Sequence, residues 1–392
     1  MKKLLALLLA LTLMFALVAC GETTTTTETT ETTETAEAAE TTETAETAEP
    51  AADIKVAMIT DYGDITDQSF NQTTYEACKG YCEANGLEFN YFKPASDSDA
   101  DRVAMIETAI DSGFNVIVMP GYAFGNAIKE VVGVYEDVTF IALDVGAGDL
   151  GEDFTVPANL YCAVYQEELC GYMAGYAAVK LGYKKLGFLG GMAVPAVVRY
   201  GYGYVQGIDA AAAELALTDV TVNYAYGNQF FGDADITAAM DTWYADGVEV
   251  VFACGGGIYS SAAEAAAKVG GKVIGVDVDQ SGIIDGTYGE GMTVTSAMKG
   301  LAATVNTMLA EVQAGEFEGG KIDTLGLVSD NPEENYVQIP ATTQFADGFT
   351  ADDYAALVAA MYAGDVTVSN DITAAAADFA TVITVNDMGN LK

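Results

Sequence analysis

From about residue 53 onwards, short apolar runs alternate with longer amphipathic segments, and this alternation constrains the possible fold more than any other feature. The apolar runs are rich in Val, Ile, Phe or Tyr and are predicted strands at 55–61, 87–93, 115–120, 138–144, 160–165, 185–190, 220–226, 249–254, 272–277 and 292–296. The segments between them are predicted helices at 69–85, 98–112, 123–135, 167–181, 196–214, 234–246, 259–269 and 298–314. Strands and helices that alternate at this spacing form parallel sheets built from βαβ units.

The length of this region predicts two lobes rather than one. The folded part is expected to begin near Asp53 and to hold roughly 340 residues, which is more than a single core normally supports. Near-continuous apolar strands such as 116–119 are typical of sheets covered by helices on both faces. Residues 341–392 are rich in Ala, Thr and Asp and are predicted to add a helix near 351–362 and a final strand near 380–385.

The N-terminal residues predict export and a lipid anchor. Lys2 and Lys3 precede an apolar run at 4–18 that is too short to span a bilayer comfortably. The sequence Leu-Val-Ala-Cys at 17–20 resembles the bacterial lipobox, so residues 1–20 are expected to be a lipoprotein signal peptide with Cys20 as the acylated residue. The alternative is an ordinary signal peptide with a cysteine nearby. Residues 21–52, nearly all Thr, Glu and Ala, are predicted to be a disordered spacer.

Charge and cysteine usage exclude several functional classes. The formal net charge is −41, and most of it lies beyond the spacer, so a basic surface for nucleic acid is not expected. The chain has no histidine, and Cys78, Cys82, Cys162, Cys170 and Cys254 form neither a disulfide framework nor a zinc pattern. No metal site and no cofactor are therefore expected.

Motifs that suggest catalysis or cofactor binding fail in their context. Residues 146–151 match G-x-G-x-x-G after a strand, but a polar segment with Pro157 follows where a dinucleotide site needs a helix. Residues 277–282 begin like an EF-hand loop, yet Tyr288 occupies the position of the essential glutamate. Without histidine, the usual base of a catalytic triad is missing. An enzyme is therefore not expected.

Polar and aromatic residues gather where predicted strands end, which is where open α/β folds bind ligands. The strands are followed or ended by Asp61, Asp144, Gly255-Gly256-Gly257, Asp277 and Lys299. The string Asp67-Gln68-Ser69-Phe70-Asn71-Gln72 opens the first predicted helix, and Phe231 follows a later strand as a second aromatic candidate. Each residue also has a structural interpretation: Asp67 can cap its helix and Phe70 can enter the core.

Taken in order, several motifs resemble the basic membrane protein family of substrate-binding lipoproteins, also called purine nucleoside receptor-like. These motifs are Asp67 to Gln72, Leu186 to Gly191, Tyr200-x-x-Gly203-Tyr204-x-x-Gly207, Phe231-x-Asp233, Gly255 to Gly257, Ile274 to Gln280 and Thr295 to Lys299. The resemblance covers about residues 54–340. It implies an α/β type I periplasmic-binding-protein fold, with two Rossmann-like lobes joined by three crossovers. The expected lobes are 53–161 plus 297–318, and 162–296 plus 319–392 with the C-terminal extension.

The resemblance also implies a ligand and its contacts. A purine nucleoside (inosine, guanosine or adenosine) would be captured for an ABC permease and its ATPase by a monomer anchored on the extracytoplasmic face of the membrane. The residues implied to contact it are Phe70 and Phe231 around the base, Asn71 and Asp144 at its polar edge, Asp277 and Lys299 at the ribose, and the backbone of Gly256. Asp61 and Asp67 are further candidates for ligand contact, and Asp67 is expected to cap its helix at the border of the cleft.

Two departures from the family pattern leave other ligands open. The family often has Gly-Gly-Thr-Gly where this chain continues as Ile258-Tyr259, so Tyr259 is expected to enter the pocket and change its selectivity. Residues 300–303 also lack the acidic residue that commonly follows the lysine. The alternatives are a flavin, another heterocycle or a sugar as ligand, or a surface adhesin or sensor without a transport role. A nucleoside-cleaving enzyme would have to use a carboxylate as its base.

Overall fold

The computed structural model describes residues 53–151 and 153–392, and its strands form two separate sheets. The strands are β1 (Lys55–Ile59), β2 (Glu88–Phe92), β3 (Val116–Pro120), β4 (Thr139–Leu143), β5 (Leu160–Tyr165), β6 (Lys185–Gly190), β7 (Thr221–Tyr226), β8 (Val250–Cys254), β9 (Lys272–Asp277), β10 (Thr293–Lys299), β11 (Lys321–Leu325), β12 (Val337–Gln338) and β13 (Thr384–Asn390). The first sheet has the order β11-β5-β4-β3-β1-β2 and the second the order β12-β10-β9-β8-β6-β7-β13. Among the pairs of named strands in the described residues, only β10 with β12 is antiparallel.

Helices connect and cover these strands. They are α1 (Phe70–Asn85), α2 (Asp99–Asp111), α3 (Gly125–Val131), α4 (Ala147–Leu150), α5 (Glu167–Lys180), α6 (Pro195–Glu214), α7 (Ala234–Ala245), α8 (Tyr259–Val269), α9 (Ser281–Tyr288), α10 (Leu301–Ala314) and α11 (Ala351–Tyr362). Every residue of β3 and of β8 is buried, as the continuous apolar strands predicted. Within the described residues, no helix combines the length and the apolar character that a bilayer crossing requires.

The two lobes repeat one topology. Strands β1 to β5 and strands β6 to β10 follow the same spatial order in their sheets, with the second and first strands at one side and the fifth at the other. Parallel strands in this order place equivalent loops at the same edge of each sheet. The loops after β1, β3 and β4 therefore correspond to those after β6, β8 and β9.

The chain passes three times between the sheets, but not where the sequence suggested. It leaves the first sheet after β5, returns to it after β10, and leaves it again after β11. The expected limits at 161, 296 and 318 are wrong by a few residues, because they cut β5 and β10 and assign β11 to the other lobe. The limits of the lobes follow from strand pairing, because β5 lies between β4 and β11 in the first sheet and β10 pairs in the second sheet.

The predicted strands and helices are present with small shifts, and four elements are additional. Those elements are α4, α9, β11 and β12. A helix therefore does follow Gly146, but α4 has only one turn, which is shorter than a dinucleotide motif requires. The C-terminal helix lies at Ala351–Tyr362 as expected, while the final strand begins at Thr384 instead of 380.

Helices α5 and α6 pack at backbone distance through glycines on both. A Cβ atom added to any of four glycines would lie 2.0 to 2.3 Å from a carbonyl oxygen of the facing helix; these are Gly171, Gly175, Gly203 and Gly207. The spacing of four residues puts each pair on one helix face. This close contact positions the N-terminal parts of both helices, which carry Glu167 and Arg199.

Candidate ligand-binding cleft

A cavity of about 820 Å³ lies at the carboxyl ends of the strands, with walls from both lobes. Its lining includes nine of the predicted site residues: Asp61, Asp67, Phe70, Asn71, Asp144, Phe231, Gly256, Asp277 and Lys299. Clefts of about 300–1,000 Å³ are usual for small-molecule sites. The strand-end residues predicted from the sequence therefore do come together in space.

Tyr259 is not part of this wall. It begins α8, is 8% exposed and packs in the apolar core of the second lobe with Ile258 and Ala262. The expectation that it enters the pocket is wrong, because its side chain is taken up by this core and does not line the cavity.

Lys299 is the centre of a buried charge cluster. Its Nζ lies 2.5 Å from Asp144 Oδ2 and 3.6 Å from both Glu167 Oε1 and Asp277 Oδ1. Burial alone would lower the pKa of Lys299, but these three carboxylates together raise it. The ammonium therefore stays charged and links carboxylates from the two lobes. The predicted base-reading and ribose-binding residues thus adjoin in one cluster.

Aromatic rings surround the same ammonium. The Nζ of Lys299 lies 4.8 Å from the ring centre of Phe70, 5.5 Å from that of Tyr165 and 5.6 Å from that of Tyr200. Ring faces attract cations at such distances, most strongly where water is excluded. The rings hold the lysine in place and leave its charge directed at the carboxylates.

Asp144 and Asp277 occupy equivalent positions after the fourth strand of each lobe, and both have left-handed backbones. Their φ angles are 58° and 65°. Residues other than glycine rarely adopt this conformation, although aspartate tolerates it better than most. Asp277 accepts hydrogen bonds from Ser69 Oγ at 2.6 Å and from the Tyr200 hydroxyl at 3.3 Å. Asp144 instead keeps one buried oxygen, Oδ1, without a partner.

The start of α1 is arranged by Asp67. Its carboxylate accepts backbone N–H bonds from Ser69 at 2.9 Å, Asn71 at 2.9 Å and Gln72 at 3.0 Å. Burial raises the pKa of Asp67 to about 6, against the opposing effect of these bonds. Asp67 therefore caps the helix at the cleft border, as expected from the sequence.

Asn71 and Asp61 form the neighbouring part of the wall. Asn71 is buried and donates from Nδ2 to Asp61 Oδ1 at 3.3 Å, while its own Oδ1 has no partner. Asp61 also accepts the backbone N–H groups of Tyr62 and Gly63, each at 2.6 Å. Burial raises the pKa of Asp61 despite these bonds. Asp61 shapes its loop, and Asn71 contributes an unused acceptor beside the cavity.

Phe231 presents an apolar face on the second lobe. It is 59% exposed although it lines the cavity, and the next strand end, Gly255-Gly256-Gly257, lies against its loop. Gly255 and Gly256 have φ angles of 152° and 50°, which side chains disfavour. Backbone can therefore approach a ligand closely at this point. Phe70 lies on the first lobe, so the two phenylalanines belong to opposite walls.

The structure adds cavity residues that sequence reasoning missed. They are chiefly Tyr62, Tyr122, Arg199, Tyr200, Phe230 and Ile372. Arg199 donates from Nε to Glu167 Oε2 at 2.6 Å, and Glu167 itself is fully buried behind the wall. A rare basic residue in an otherwise apolar helix start was a signal that could have identified Arg199. Ile372 gave no such signal.

These groups define what the cleft can bind. The carboxylates that line it outnumber its basic residues Lys93, Arg199 and Lys299, so hydroxyl and ring N–H donors are favoured and phosphates are not. Its aromatic walls suit a flat ring system. In the described part of the chain, no group of three His, Cys, Asp or Glu residues could hold a metal ion.

Comparison with known proteins identifies a matching family over most of the chain. Residues 54–346 match the family model Bmp, described as "ABC transporter substrate-binding protein PnrA-like". The ABC transporter nucleoside-binding protein BmpA of Lactococcus lactis subsp. cremoris is 27% identical, covering 70% of this chain and 79% of that protein. Basic membrane protein B of Borreliella burgdorferi is 28% identical, covering 74% and 82%.

Solved structures share the fold. A solute-binding protein of an ABC transporter system from Aeropyrum pernix aligns with a TM-score of 0.62 and 21% identity, covering 83% of this chain and 90% of that one. A similar protein from Conexibacter woesei aligns with a TM-score of 0.63 and 23% identity, covering 81% and 99%. These likenesses confirm the predicted type I periplasmic-binding-protein fold.

Proposed function

Because the chain belongs to the Bmp family of PnrA-like ABC transporter substrate-binding proteins, we propose that it captures a purine nucleoside in its cleft. The family also confirms the expectation of a binding protein rather than an enzyme, with a small-molecule ligand and an ABC permease as partners. Inosine, guanosine and adenosine are the candidate ligands. The nucleoside itself is the proposed part of this assignment.

One observation carries the proposal: two phenylalanines from opposite lobes line a cavity that also contains a buried cluster of carboxylates around one ammonium. Phe70 and Phe231 supply flat apolar faces, and Asp144, Asp277 and Lys299 supply acceptors and a donor. A nucleoside joins a flat heterocycle to a ring of hydroxyl groups, so it needs both kinds of surface. A sugar alone would leave the exposed Phe231 without a stacking partner.

Each side chain then has a defined role. The phenylalanines stack on the base, which is worth about 1–3 kcal/mol per base. The unpartnered Oδ1 atoms of Asn71 and Asp144 accept N–H groups at the base edge. Asp277 and Lys299 bind the ribose hydroxyls by charge-assisted hydrogen bonds, and the backbone of Gly256 approaches the ligand.

Attachment to the membrane through Cys20 is also part of the proposal. Cys20 and the spacer at 21–52 lie outside the described residues, so the lipobox-like sequence alone supports this role. A binding protein anchored on the extracytoplasmic face through Cys20 would deliver its ligand to the permease as a monomer.

Isothermal titration calorimetry tests the nucleoside assignment. Inosine, guanosine and adenosine should include at least one saturable ligand, and ribose alone should bind much more weakly. Phe231→Ala should weaken binding of the best ligand by about 1–3 kcal/mol, or roughly 5- to 150-fold, while Phe231→Tyr should retain most of it. Tyr362→Ala removes an aromatic ring of similar exposure outside the cleft and serves as the control. Failure of every nucleoside to bind would overturn the assignment.

The cavity volume favours a second candidate, a larger heterocycle such as a flavin. At about 820 Å³ the cleft lies towards the upper end of the usual range for small-molecule sites. Native mass spectrometry of gently purified protein distinguishes the two, since a retained nucleoside and a retained flavin differ in mass. A retained nucleoside would exclude the flavin.

A further inference from the structure

The C-terminal segment reaches the ligand cleft although it lies beyond the region matched by the family. The match ends at residue 346, yet Ile372 is among the residues that line the cavity. Ile372 is 39% exposed, so a large part of its side chain is free to contact another molecule. This wall residue is therefore not part of the shared family core.

Hydrogen bonds on both sides hold Ile372 in place against α6. Gln206 Nε2 donates to the Ser369 carbonyl at 2.9 Å, and the Ser369 N–H donates to Gln206 Oε1 at 2.8 Å. The Tyr202 hydroxyl donates to the Ala374 carbonyl at 2.7 Å. Tyr202 and Gln206 are four residues apart on one face of α6, so the segment between 369 and 374 is fixed at two points.

Farther along, the same helix holds the segment a third time. Asp209 accepts backbone N–H bonds from Thr381 at 2.7 Å and from Val382 at 2.8 Å. Strand β13 then pairs in parallel with β7. The segment is thus anchored over its whole length on the second lobe rather than draped across the surface.

The fixed segment extends an apolar part of the cavity wall. Val194, Pro195 and Ala196, at the start of α6, line the cavity as Ile372 does. These side chains offer no hydrogen bonds, in contrast to the charged cluster around Lys299. The surface they form suits a carbon-rich part of a ligand.

The chain end reaches the loop that carries a second cavity residue, Phe231. Lys392 forms ion pairs with Asp233 and, at 3.7 Å, with Asp235. Asp233 caps α7 two residues after Phe231, and Gln229 donates to both the Phe231 carbonyl and Asp233. Lys392 thus holds the loop that carries the exposed phenylalanine.

We propose that residues 363–392 are part of the binding site: Ile372 is a specificity-determining residue that contacts the captured ligand, and Lys392 is a positioning residue for the Phe231 loop. The ligand class rests on the proposed function, a nucleoside or related heterocycle. The contact at Ile372 is independent of which heterocycle is bound, because it follows from the position of the segment.

The first experiment measures inosine affinity by calorimetry. Ile372→Ala should weaken binding roughly three- to thirtyfold and Ile372→Val much less, with the unfolding midpoint of the unbound protein unchanged. Met388→Ala shortens an exposed side chain on β13 and should bind as the wild type does. Lys392→Met should weaken binding by loosening the loop, and Lys392→Arg should restore it. Equal affinity for all Ile372 variants would overturn the inference and leave the nucleoside assignment intact.

The second experiment does not require inosine to bind. The thiol of Ile372→Cys is titrated with a coloured disulfide reagent, with the wild type as background and Met388→Cys as control. Protein as purified, with whatever heterocycle it retains, is compared with protein unfolded, dialysed and refolded. If the thiol at position 372 reacts more slowly in the purified protein than in the refolded protein, while the Met388→Cys control does not, the contact is supported even if no nucleoside binds. The proposed contact would be overturned if the thiol at position 372 reacted at equal rates in the purified and refolded proteins and also at equal rates with and without inosine.

Discussion

At the scale of single residues, burial explains why a carboxyl group behind the cleft has a raised pKa. Glu168 lies on α5 beside the charge cluster, is 2% exposed and has one oxygen without a partner. Burial, and then the charge of Glu167, raise its pKa to about 7. Proteins keep such groups at functional sites more often than elsewhere. Glu168 therefore makes the stability of the second lobe depend on pH.

The sign of that dependence is testable. Because the folded-state pKa of about 7 lies above the ordinary value of 4.5, the contribution of Glu168 to stability is complete below about pH 4.5 and is lost as the pH rises through 7. Glu168→Gln should therefore be more stable than the wild type at pH 8, by up to about 3 kcal/mol. The difference should vanish near pH 4.5. Urea unfolding at several pH values measures it.

The exposed Glu83 on α1 provides the control. Glu83→Gln should leave the pH profile of unfolding as in the wild type. A constant difference between Glu168→Gln and the wild type across this range would contradict the role assigned to Glu168.

At the scale of elements, the contact between α5 and α6 connects packing to binding. The helices approach so closely because glycines on each leave room for the carbonyl groups of the other. The second turn of α6 carries Arg199 and Tyr200 to the cavity, and α5 begins with Glu167, which pairs with Arg199. Any shift between the helices therefore moves the charge cluster.

A single glycine substitution tests this connection. In Gly203→Ala the new Cβ would lie 2.0 Å from the Glu168 carbonyl oxygen, so the helices must separate. We expect a loss of about 1–3 kcal/mol in stability together with weaker ligand binding. In Gly80→Ala, on the exposed face of α1, the Cβ meets nothing within 4 Å, and the change should be neutral or stabilising by up to about 1 kcal/mol. Equal effects of the two substitutions on urea unfolding would refute the packing argument.

At the scale of the whole molecule, hydrogen bonds connect the two lobes across the cleft. Ser69 Oγ donates to Asp277 at 2.6 Å, and Gln280 Nε2 donates to the Gln68 carbonyl at 3.0 Å. Lys299 adds its ion pair with Asp144 across the same gap. Binding proteins with two lobes close around their ligands by hinge motion. These contacts belong to the closed arrangement.

Removing one of them should favour opening. Ser69→Ala leaves Asp277 without its shortest hydrogen bond, so ligand release should quicken and affinity fall on the order of tenfold. Small-angle scattering with bound ligand should show a larger radius of gyration than the wild type does. Ser112→Ala removes a hydroxyl that bonds only within its own lobe and should change neither quantity. Unchanged release from Ser69→Ala would show that the lobes stay closed without this bond.

Much of the fold could be predicted because its signals are local. An apolar run of five or six residues needs only its own sequence to indicate a buried strand, and β3 and β8 appear where expected. Strand β11 was missed because its residues are only partly buried and carry no apolar period. The lobe boundaries were misplaced for a related reason, since the sheet to which a strand belongs depends on its neighbours.

The residues of the candidate site also fall into two groups, those that local sequence signals predicted and those that they did not. Asp67, Asn71, Asp144 and Asp277 were identified because strand ends and helix starts are visible in the sequence, and a family resemblance ordered them. Arg199 was missed although its charge was conspicuous. Tyr259 was misplaced because the sequence does not show whether an aromatic side chain at a helix start packs in the core or faces a cavity.

The two-lobed α/β architecture, the position of the polar strand ends and the class of binding protein could thus be predicted from the order of the amino acids. Which side chains share the cavity depends instead on how distant elements pack. Residues far apart in the chain meet there, as Lys299 meets Asp144 and as Ile372 joins the start of α6. The physical reason is that hydrophobic periodicity and helix capping depend on residues only a few positions apart. A cleft instead forms from loops that are brought together by the order of strands in each sheet and by the crossings of the chain between the lobes.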